Sequence, residues 1–402
     1  MNYYISFCYS ETVGGGQNYL NSKTAWLEKK GWKPLVFTAN RDYRYFNKPQ
    51  RTIPWDNLRR FSCYKSVFIS MPPEFWPGFI VKRELKKMAA LVHNDAEQVI
   101  VESNTDFWAE WGELLAQKLS ARTFCFLIDE LLESYGAKEF LLFKFQRREV
   151  AGIHKTSMHR LFDGILDIPC DDTYVLRAMN EGAVADVASK AISCIAPCDY
   201  TLGYIGRNKQ YTRNIRADII GFAKKHPEKT VCLVVVGEAG VIPVELPANL
   251  SVVQLGFLVP IPRSLFSILD VVIAGAGCAR LAACEGVPVI VADAGTSLAS
   301  GVLGYTVNTT LFSDSNPRSF CDVLEDVLIN DSLSGLEICP FQRPDISIEY
   351  EKHFSFISES SPEKQYFDFK HHPQRSIPLK RKIKTWLKWH WPSFYKRLFL
   401  RK

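Results

Sequence analysis

Apolar runs in the first half of the chain alternate with segments of helical periodicity. Residues 3–8 form an apolar run typical of a buried strand, and Gly14–Gly16 separate it from a predicted helix at 17–30 that Gly31 ends. Further strands are predicted at 34–38, 99–102 and 123–128, with a helix at 107–119. This alternation predicts a parallel sheet with right-handed crossovers.

The pattern breaks around residues 192–201, where Pro197 interrupts it, and a second α/β half follows. Its predicted strands are 202–205, 231–236, 252–255, 271–274 and 287–292, with a helix at 212–225. We therefore expect a first Rossmann-like domain over 1–197 and a second over 198–345. Residues 346–375 are expected to cross back to the first domain, and residues 376–402 to form a separate tail.

Length and composition agree with two globular domains in one chain. The chain has 402 residues, of which 47% are hydrophobic and 23% charged. The N-terminus lacks the basic and apolar regions of a signal peptide, and no run of about 18 apolar residues predicts a spanning helix. The eleven cysteines are scattered without a C-x-x-C motif, which predicts reduced thiols in a cytoplasmic protein.

The stretch DVVIAGAGCARLAACEGVPVIVAD, residues 270–293, predicts a strand, a glycine turn, a helix and a second strand. A dinucleotide fingerprint needs a small residue in the third glycine position so that the helix can approach its strand, and Arg280 occupies that position. We therefore do not expect an NAD site. The turn with Gly275 and Gly277 either presents backbone N–H groups to a phosphate or merely reverses the chain.

Glycines occur at four predicted strand ends, and ligands of doubly wound sheets bind beyond such ends. Arg207 and Lys209 follow the first strand of the second half, where their positive charge suits a diphosphate. The glycine-bearing loops are 14–16, 206–207, 237–240 and 275–277. They indicate a phosphate ligand more strongly together than any of them does alone.

Four stretches of the chain are similar to a known family: GGGQNYLNSKTAWLEKKGWKPLVFT, EVAGIHKTSMHRLFDGI, YIGRNKQYTRNI with FAKKHPEKTVCLVVVGEAG, and LDVVIAGAGCARLAACEGVPVIVAD. Over roughly residues 3–300 the chain resembles the GT-B glycosyltransferases of family 4 that act in bacterial polysaccharide assembly. The resemblance implies an α/β fold of two Rossmann-like, doubly wound domains that face a cleft. It also implies a nucleotide-sugar donor and a capsular-type or lipid-linked acceptor.

The resemblance assigns site residues and also shows a departure from the family. It implies that Gly15 and Gly16 approach the donor phosphate and that Arg207 and Lys209 bind the diphosphate. Family members carry two glutamates, eight residues apart, before the G-x-P-V-I stretch, and the second one holds the ribose. Leu281 and Ile273 stand at those positions here. The nearest carboxylate, Glu285, either reaches the ribose with different geometry or ends a helix in solvent. Gly237, Gly275 and Gly277 complete the predicted donor-binding set.

Candidate catalytic groups lie at strand ends of the first half. Arginine, lysine and helix N-termini can stabilise a leaving diphosphate, so we expect no metal and no cofactor besides the donor substrate. An inverting transferase also needs a general base for the acceptor hydroxyl. Glu102 ends one predicted strand, directly after the apolar residues 99–101, and Asp129 and Glu130 follow the next strand. His154 is a further candidate. For each of these residues the alternative is a non-catalytic position, either next to a helix cap or at the protein surface.

The C-terminal tail concentrates the positive charge of the chain. Residues 379–402 carry nine Lys and Arg without an acid, whereas the whole chain has a net charge of +6, so the remainder is mildly acidic. Lysines and aromatic rings at helical spacing favour the surface of an anionic membrane. The candidate membrane-binding residues are Lys380, Arg381, Lys384, Trp386, Trp389 and Trp391. A disordered basic tail and a nucleic-acid tether are the alternatives, although we expect no nucleic acid as a partner.

These observations favour a cytoplasmic glycosyltransferase attached peripherally to the inner face of the membrane. A nucleotide-sugar 2-epimerase shares the GT-B architecture but has a soluble substrate, which the tail argues against. A non-catalytic GT-B-like subunit that binds a transferase or a nucleotide sugar would explain the missing glutamates.

Overall fold

The protein is described by a computed structural model with two compact units, Met1–Glu181 together with Asp345–Lys402, and Gly182–Pro344. The structure describes residues 1–8, 15–39, 62–104, 106–128, 138–155, 158, 172–178, 183–188, 192–242, 245–258, 260–313, 316–336, 344–360, 365–371 and 378–399. Every cysteine whose side chain it describes is a free thiol.

The first unit is built on a parallel sheet of six strands in the order β3-β2-β1-β4-β5-β6. The strands are β1 Asn2–Cys8, β2 Trp32–Ala39, β3 Ser62–Ser66, β4 Gln98–Ser103, β5 Arg122–Leu127 and β6 Val150–Gly152. The helices are α1 Gly15–Lys29, α2 Gly78–Ala89, α3 Asp106–Leu119 and α4 Lys138–Gln146. Successive residues of β1 are buried on both faces of the sheet, as a parallel sheet covered by helices requires.

The second unit repeats this architecture with the strand order β10-β9-β8-β12-β13-β14 and a separate pair, β7 with β11. The strands are β7 Val184–Ala185, β8 Tyr200–Gly206, β9 Val231–Gly237, β10 Leu250–Gly256, β11 Ile261–Pro262, β12 Val271–Ala274, β13 Val289–Ala292 and β14 Ala299–Val302. The helices are α5 Thr212–Lys225, α6 Arg263–Phe266, α7 Ala276–Cys284 and α8 Phe320–Leu328. Among the strands that the structure describes in the main sheet, only β14 runs antiparallel to its neighbour.

The order of the second sheet creates a switch point between β8 and β12. From β8 the chain first builds outward through β9 and β10, and it then returns to place β12 and β13 on the other side. The connections that leave β8 and β12 therefore diverge, and their carboxyl ends flank a crevice. Ligands of doubly wound sheets bind at this point.

The C-terminal segment belongs to the first unit, and its described residues include the helices α9 Ile346–Ser358, α10 Leu379–His390 and α11 Pro392–Phe399. The Asp345 carboxylate caps α9 by accepting from the N–H groups of Ser347 and Ile348. Tyr350 and Phe356 of this helix are buried among aromatic residues of the first unit. Residues 182–197, which sequence analysis placed in the first domain, belong to the second unit, because β7 pairs with β11 there.

Candidate functional site

Two glycines bring the ends of β8 and β9 into close contact. Gly206 and Gly237 are register partners, and Gly237 has φ +113°. A Cβ atom at Gly237 would lie 2.0 Å from the carbonyl oxygen of Gly206. No larger residue fits this position, so Gly237 shapes the edge of the sheet beside the switch point.

The loop after β8 presents a cation at the same edge. The Arg207 side chain is exposed, and the hydroxyl of buried Tyr204 donates to the Arg207 carbonyl at 2.6 Å. Burial raises the pKa of Tyr204 to about 12, so its hydroxyl remains a donor at neutral pH. The Asn208 N–H donates to Glu238 Oε2 at 2.6 Å, and the Lys209 N–H donates to Thr212 Oγ1 at 2.8 Å. The backbone of the loop is thus held from the Arg207 carbonyl to the Lys209 N–H group.

The turn between β12 and α7 supplies the other wall of the crevice. Gly275 is the N-cap of α7, and Ala276 has φ +53°, a conformation that costs a residue with a side chain roughly 1–2 kcal/mol. The Ala276 N–H already donates to the Thr310 carbonyl at 2.5 Å. Gly277 is exposed, and a Cβ there would meet no atom within 4 Å. A phosphate would therefore approach this helix end at Gly277 rather than at Ala276.

Leu281 and Glu285 do not supply a carboxylate to this edge. Leu281 is half-buried and packs against an apolar cluster of the second unit. Glu285 lies at the C-cap of α7, roughly 13 Å along the helix from Ala276. Its carboxylate is 6% exposed and accepts from Arg263 at 2.6 Å. The predicted donor-binding role of Glu285 is corrected, because its position and partner make it part of an ion pair at the far end of the helix.

Glu102 lies in a closed cluster of the first unit. The side chains of Glu102 and Lys23 are both 0% exposed, and Lys23 Nζ donates to Glu102 Oε2 at 2.5 Å. The hydroxyls of Tyr4 and Tyr19 and the amide of Asn104 donate to the same carboxylate, at 2.5, 3.0 and 2.8 Å. Burial by itself would raise the pKa of Glu102, but Lys23 and these donors hold it below the usual value. The structure therefore gives Glu102 a structural role in place of the predicted role of general base.

His353 of α9 joins this cluster from the C-terminal segment. Its Nδ1 atom lies 3.3 Å from Lys23 Nζ, and its Nε2 atom lies 3.0 Å from the Arg177 carbonyl oxygen. Nδ1 therefore accepts from the ammonium group while Nε2 carries the hydrogen. Burial, reinforced by Lys23, lowers the pKa of His353 to about 3, so the imidazole is neutral in the folded protein.

Acid is expected to destabilise the first unit through His353. Because the folded pKa of about 3 lies below the unfolded value of 6.5, the unfolded chain binds the extra proton first. The contribution is complete above about pH 6.5, and about 1.4 kcal/mol is lost per pH unit as the pH falls toward 3. Urea unfolding between pH 6.5 and 5, above the carboxylate range, should show this slope. His353→Gln should flatten it, whereas replacement of the exposed His93 should not.

Of the remaining predicted site residues in the first unit, Gly15 and Gly16 lie beside the end of β5. Gly15 and Gly16 begin α1, and a Cβ at Gly16 would lie 3.9 Å from Ile128, one residue after β5. The start of α1 thus adjoins the strand end that precedes Asp129 and Glu130, which lie outside the described residues. His154 follows β6 by two residues and is half-buried.

The tail forms two helices with exposed apolar side chains. Ile383, Trp386 and Trp391 are exposed, and the rings of Trp386 and Trp391 lie 5.4 Å apart. Lys380, Arg381 and Lys384 are also exposed, whereas the side chain of Trp389 lies outside the described part. Among the described residues, no helix has the length and apolar content to cross a bilayer.

Comparisons with known proteins establish the fold. No protein-family model matches the chain, and no curated protein does. The solved structure of HepE from Anabaena in complex with UDP is similar, with a TM-score of 0.57 and 14% identity, over 89% of this chain and 100% of that one. Its complex with UDP-glucose gives 0.55 and 14%, over 89% and 97%. A glycosyltransferase from Rickettsia africae ESF-5 gives 0.55 and 12%, over 100% and 99%. The predicted GT-B fold, with two Rossmann-like domains, is thereby confirmed.

Sequence analysis missed Lys23, Tyr4, Tyr19 and His353. Glu102 lies 79 to 98 positions from Lys23, Tyr19 and Tyr4, and His353 lies 330 positions from Lys23, so local patterns carry little sign of the cluster. The one available signal was Lys23 on the otherwise buried face of α1, at helical spacing from Tyr19.

Proposed function

We propose that this protein is a glycosyltransferase that moves a sugar from a nucleotide-sugar donor to a lipid-linked or polysaccharide acceptor. The observation that carries the proposal is the switch point of the second sheet, where Arg207 and Gly277 lie after the neighbouring strands β8 and β12. Anabaena HepE, which shares the fold, was crystallised with UDP and with UDP-glucose. This supports a nucleoside diphosphate as the ligand of the crevice.

In the proposed reaction the second unit stabilises the leaving group. The acceptor hydroxyl attacks the anomeric carbon, the bond from that carbon to the β-phosphate oxygen breaks, and the nucleoside diphosphate leaves. Arg207 and Lys209 would neutralise the charge that develops on the diphosphate, and the N–H of Gly277 would donate to a phosphate oxygen. These groups make a metal unnecessary in this proposal.

The acceptor proton needs a base in the first unit. Glu102 is unsuitable because it has no exposed surface and already accepts from Lys23. We assign the role to Asp129 or Glu130, which come directly after Ile128 in the sequence, and keep His154 after β6 as the alternative. If the mechanism is inverting, replacement of the base should lower kcat roughly 10²–10⁴-fold, with donor binding retained.

Replacement of Arg207 tests the donor site. Loss of a charge-assisted contact worth about 1.5–3 kcal/mol should raise the Kd for UDP or another cognate nucleotide roughly 10- to 150-fold in Arg207→Ala. The control is Lys224→Ala, at the exposed opposite end of α5, about 18 Å along the helix from Thr212. Titration calorimetry against a panel of nucleotides measures both. Equal affinities for the two variants would refute the role of Arg207.

Catalysis is tested separately by following nucleoside diphosphate release from a panel of nucleotide sugars, with and without a lipid-linked acceptor. Release that depends on the acceptor supports transfer. Nucleotide binding without release would favour a non-catalytic donor-binding subunit, because the carboxylate expected at Leu281 is missing. A protein that neither binds a nucleotide nor releases one would contradict both forms of the proposal.

We further propose that the tail attaches the enzyme to the cytoplasmic face of an anionic membrane. Exposed Ile383, Trp386 and Trp391 supply apolar contact, and the neighbouring basic residues supply attraction to acidic lipids. The variant Trp386→Ser/Trp391→Ser should bind phosphatidylglycerol vesicles about tenfold more weakly than the parent protein in co-sedimentation. The same exchange at exposed Leu246 and Leu336 serves as a control for lost apolar surface. Equal vesicle binding by the tail variant and the parent protein would remove the tail as an anchor.

A further inference from the structure

Helix α2 carries a regular exposed stripe that the proposed chemistry does not use. Its members are Phe79, Lys82, Arg83, Lys86 and Lys87, and all five are exposed. They follow the spacing i, i+3, i+4, i+7 and i+8, which places them on one face of the helix. Phe79 is 70% exposed. The opposite face is buried in the core through Ile80, Leu85 and Met88.

The stripe keeps a net positive charge even though two of its cations pair with Glu84 of the same helix. The sole acid in the sequence of α2 is Glu84, which is buried and accepts from the hydroxyls of Tyr64 and Ser66. Arg83 and Lys87 also lie 3.2 and 3.9 Å from this carboxylate. Four cations around one buried carboxylate leave a net positive surface, and Lys82 and Lys86 extend it along the helix.

The stripe adjoins the membrane-binding tail. The guanidinium carbon of Arg381, in the first turn of α10, lies 5.9 Å from the ring centroid of Phe75. Phe75 ends the short turn Pro73–Phe75, three residues before α2 begins. The start of α10 and the start of α2 are therefore neighbours on the first unit.

We propose that the exposed stripe of α2 is a second contact with the anionic membrane, beside the tail. This inference rests on the proposed attachment of the tail. Basic side chains attract acidic headgroups, and an exposed phenylalanine at the start of the same face can enter the interface. A tail alone leaves the first unit free to turn about one anchor. Two neighbouring contacts reinforce each other through a high effective concentration and restrict that rotation.

The test uses the full chain and vesicles of phosphatidylcholine with or without phosphatidylglycerol. In the α2 variant, Phe79→Ser/Lys82→Gln/Lys86→Gln, partition onto the acidic vesicles should fall about tenfold and its salt dependence should weaken. The matched control, Lys118→Gln/Lys224→Gln, removes the same charge from exposed sites on α3 and α5 and should change partition by less than about twofold. Hydrogen exchange in the core strands verifies that each variant remains folded.

The outcomes separate this inference from the proposal on which it rests. An α2 variant that behaves like its control, while Trp386→Ser/Trp391→Ser loses binding, would overturn the α2 contact and leave the tail as the anchor. If neither variant affects partition, the membrane attachment itself fails. If the α2 variant loses affinity for an oligonucleotide but not for vesicles, the stripe is a nucleic-acid surface and the inference is wrong.

Discussion

Replacement of Lys23 by methionine is expected to lower the free energy of unfolding of the first unit by about 3–5 kcal/mol. Lys23 and Glu102 are fully buried and form one ion pair, so removal of the ammonium group leaves a carboxylate without its counter-charge. Tyr4 and Tyr19 would still donate to Glu102, but neutral donors do not replace the charge. Hydrogen exchange in β1 and β4 measures the change within this unit.

The matched control for Lys23→Met is Lys30→Met, one residue after the end of the same helix. Lys30 pairs with Glu351 at 2.7 Å, but both side chains are about half exposed. Such a surface pair contributes about 0–1 kcal/mol. The double variant Lys23→Met/Glu102→Gln should recover much of the loss, because no charge remains buried there. Equal losses in Lys23→Met and Lys30→Met would contradict the buried pair.

Gly237→Ala is expected to destabilise the second unit by roughly 2–5 kcal/mol, combining an unfavourable backbone conformation with an overlap against Gly206. The new methyl group would lie 2.0 Å from a carbonyl oxygen in the neighbouring strand, so β8 and β9 must separate at their carboxyl ends. The same movement should displace the Arg207 loop and weaken nucleotide binding. Hydrogen exchange in β8 and β9 and nucleotide calorimetry measure the two effects.

Gly286→Ala isolates the conformational part of this effect. Gly286 also has a positive φ, +83°, but a Cβ there meets no atom within 4 Å. It should therefore cost only about 1 kcal/mol, the conformational penalty without the overlap. If Gly237→Ala proves as mild as Gly286→Ala, the close approach of β8 and β9 does not constrain the site.

The fold could be predicted from the sequence more fully than the site could. Strands such as β1 and β9 are continuous apolar runs because both of their faces are covered, and that pattern is local. By contrast, β3 is short and contains Ser62, Lys65 and Ser66, so it lacks the apolar signal and was not predicted. Helix α2 was also not predicted, although its buried residues have helical spacing.

Glu102 shows why the roles of the site residues were harder to predict than the fold. Sequence analysis placed this residue correctly at the end of a buried strand, where carboxylates often serve catalysis. Whether a carboxylate there faces substrate or a buried cation depends on residues far away in the chain. Here Lys23 and His353 reach it from α1 and α9, and neither helix reveals this pairing in its own pattern. Glu285 likewise lies on the predicted helix, but its partner Arg263 comes from another element.

The return of α9 to the first unit also dictates an order of events during synthesis. The second unit lies within one continuous segment, Gly182–Pro344, so it has all its strands once that segment has left the ribosome. The first unit lacks Tyr350 and His353 until the final part of the chain emerges. Domains usually mature from the N-terminus onward as translation proceeds. In this protein the nascent N-terminal sheet stays incomplete for much of translation. Lys23 and Glu102 are fully enclosed only after α9, which contains His353 about 330 residues after Lys23, has been synthesised.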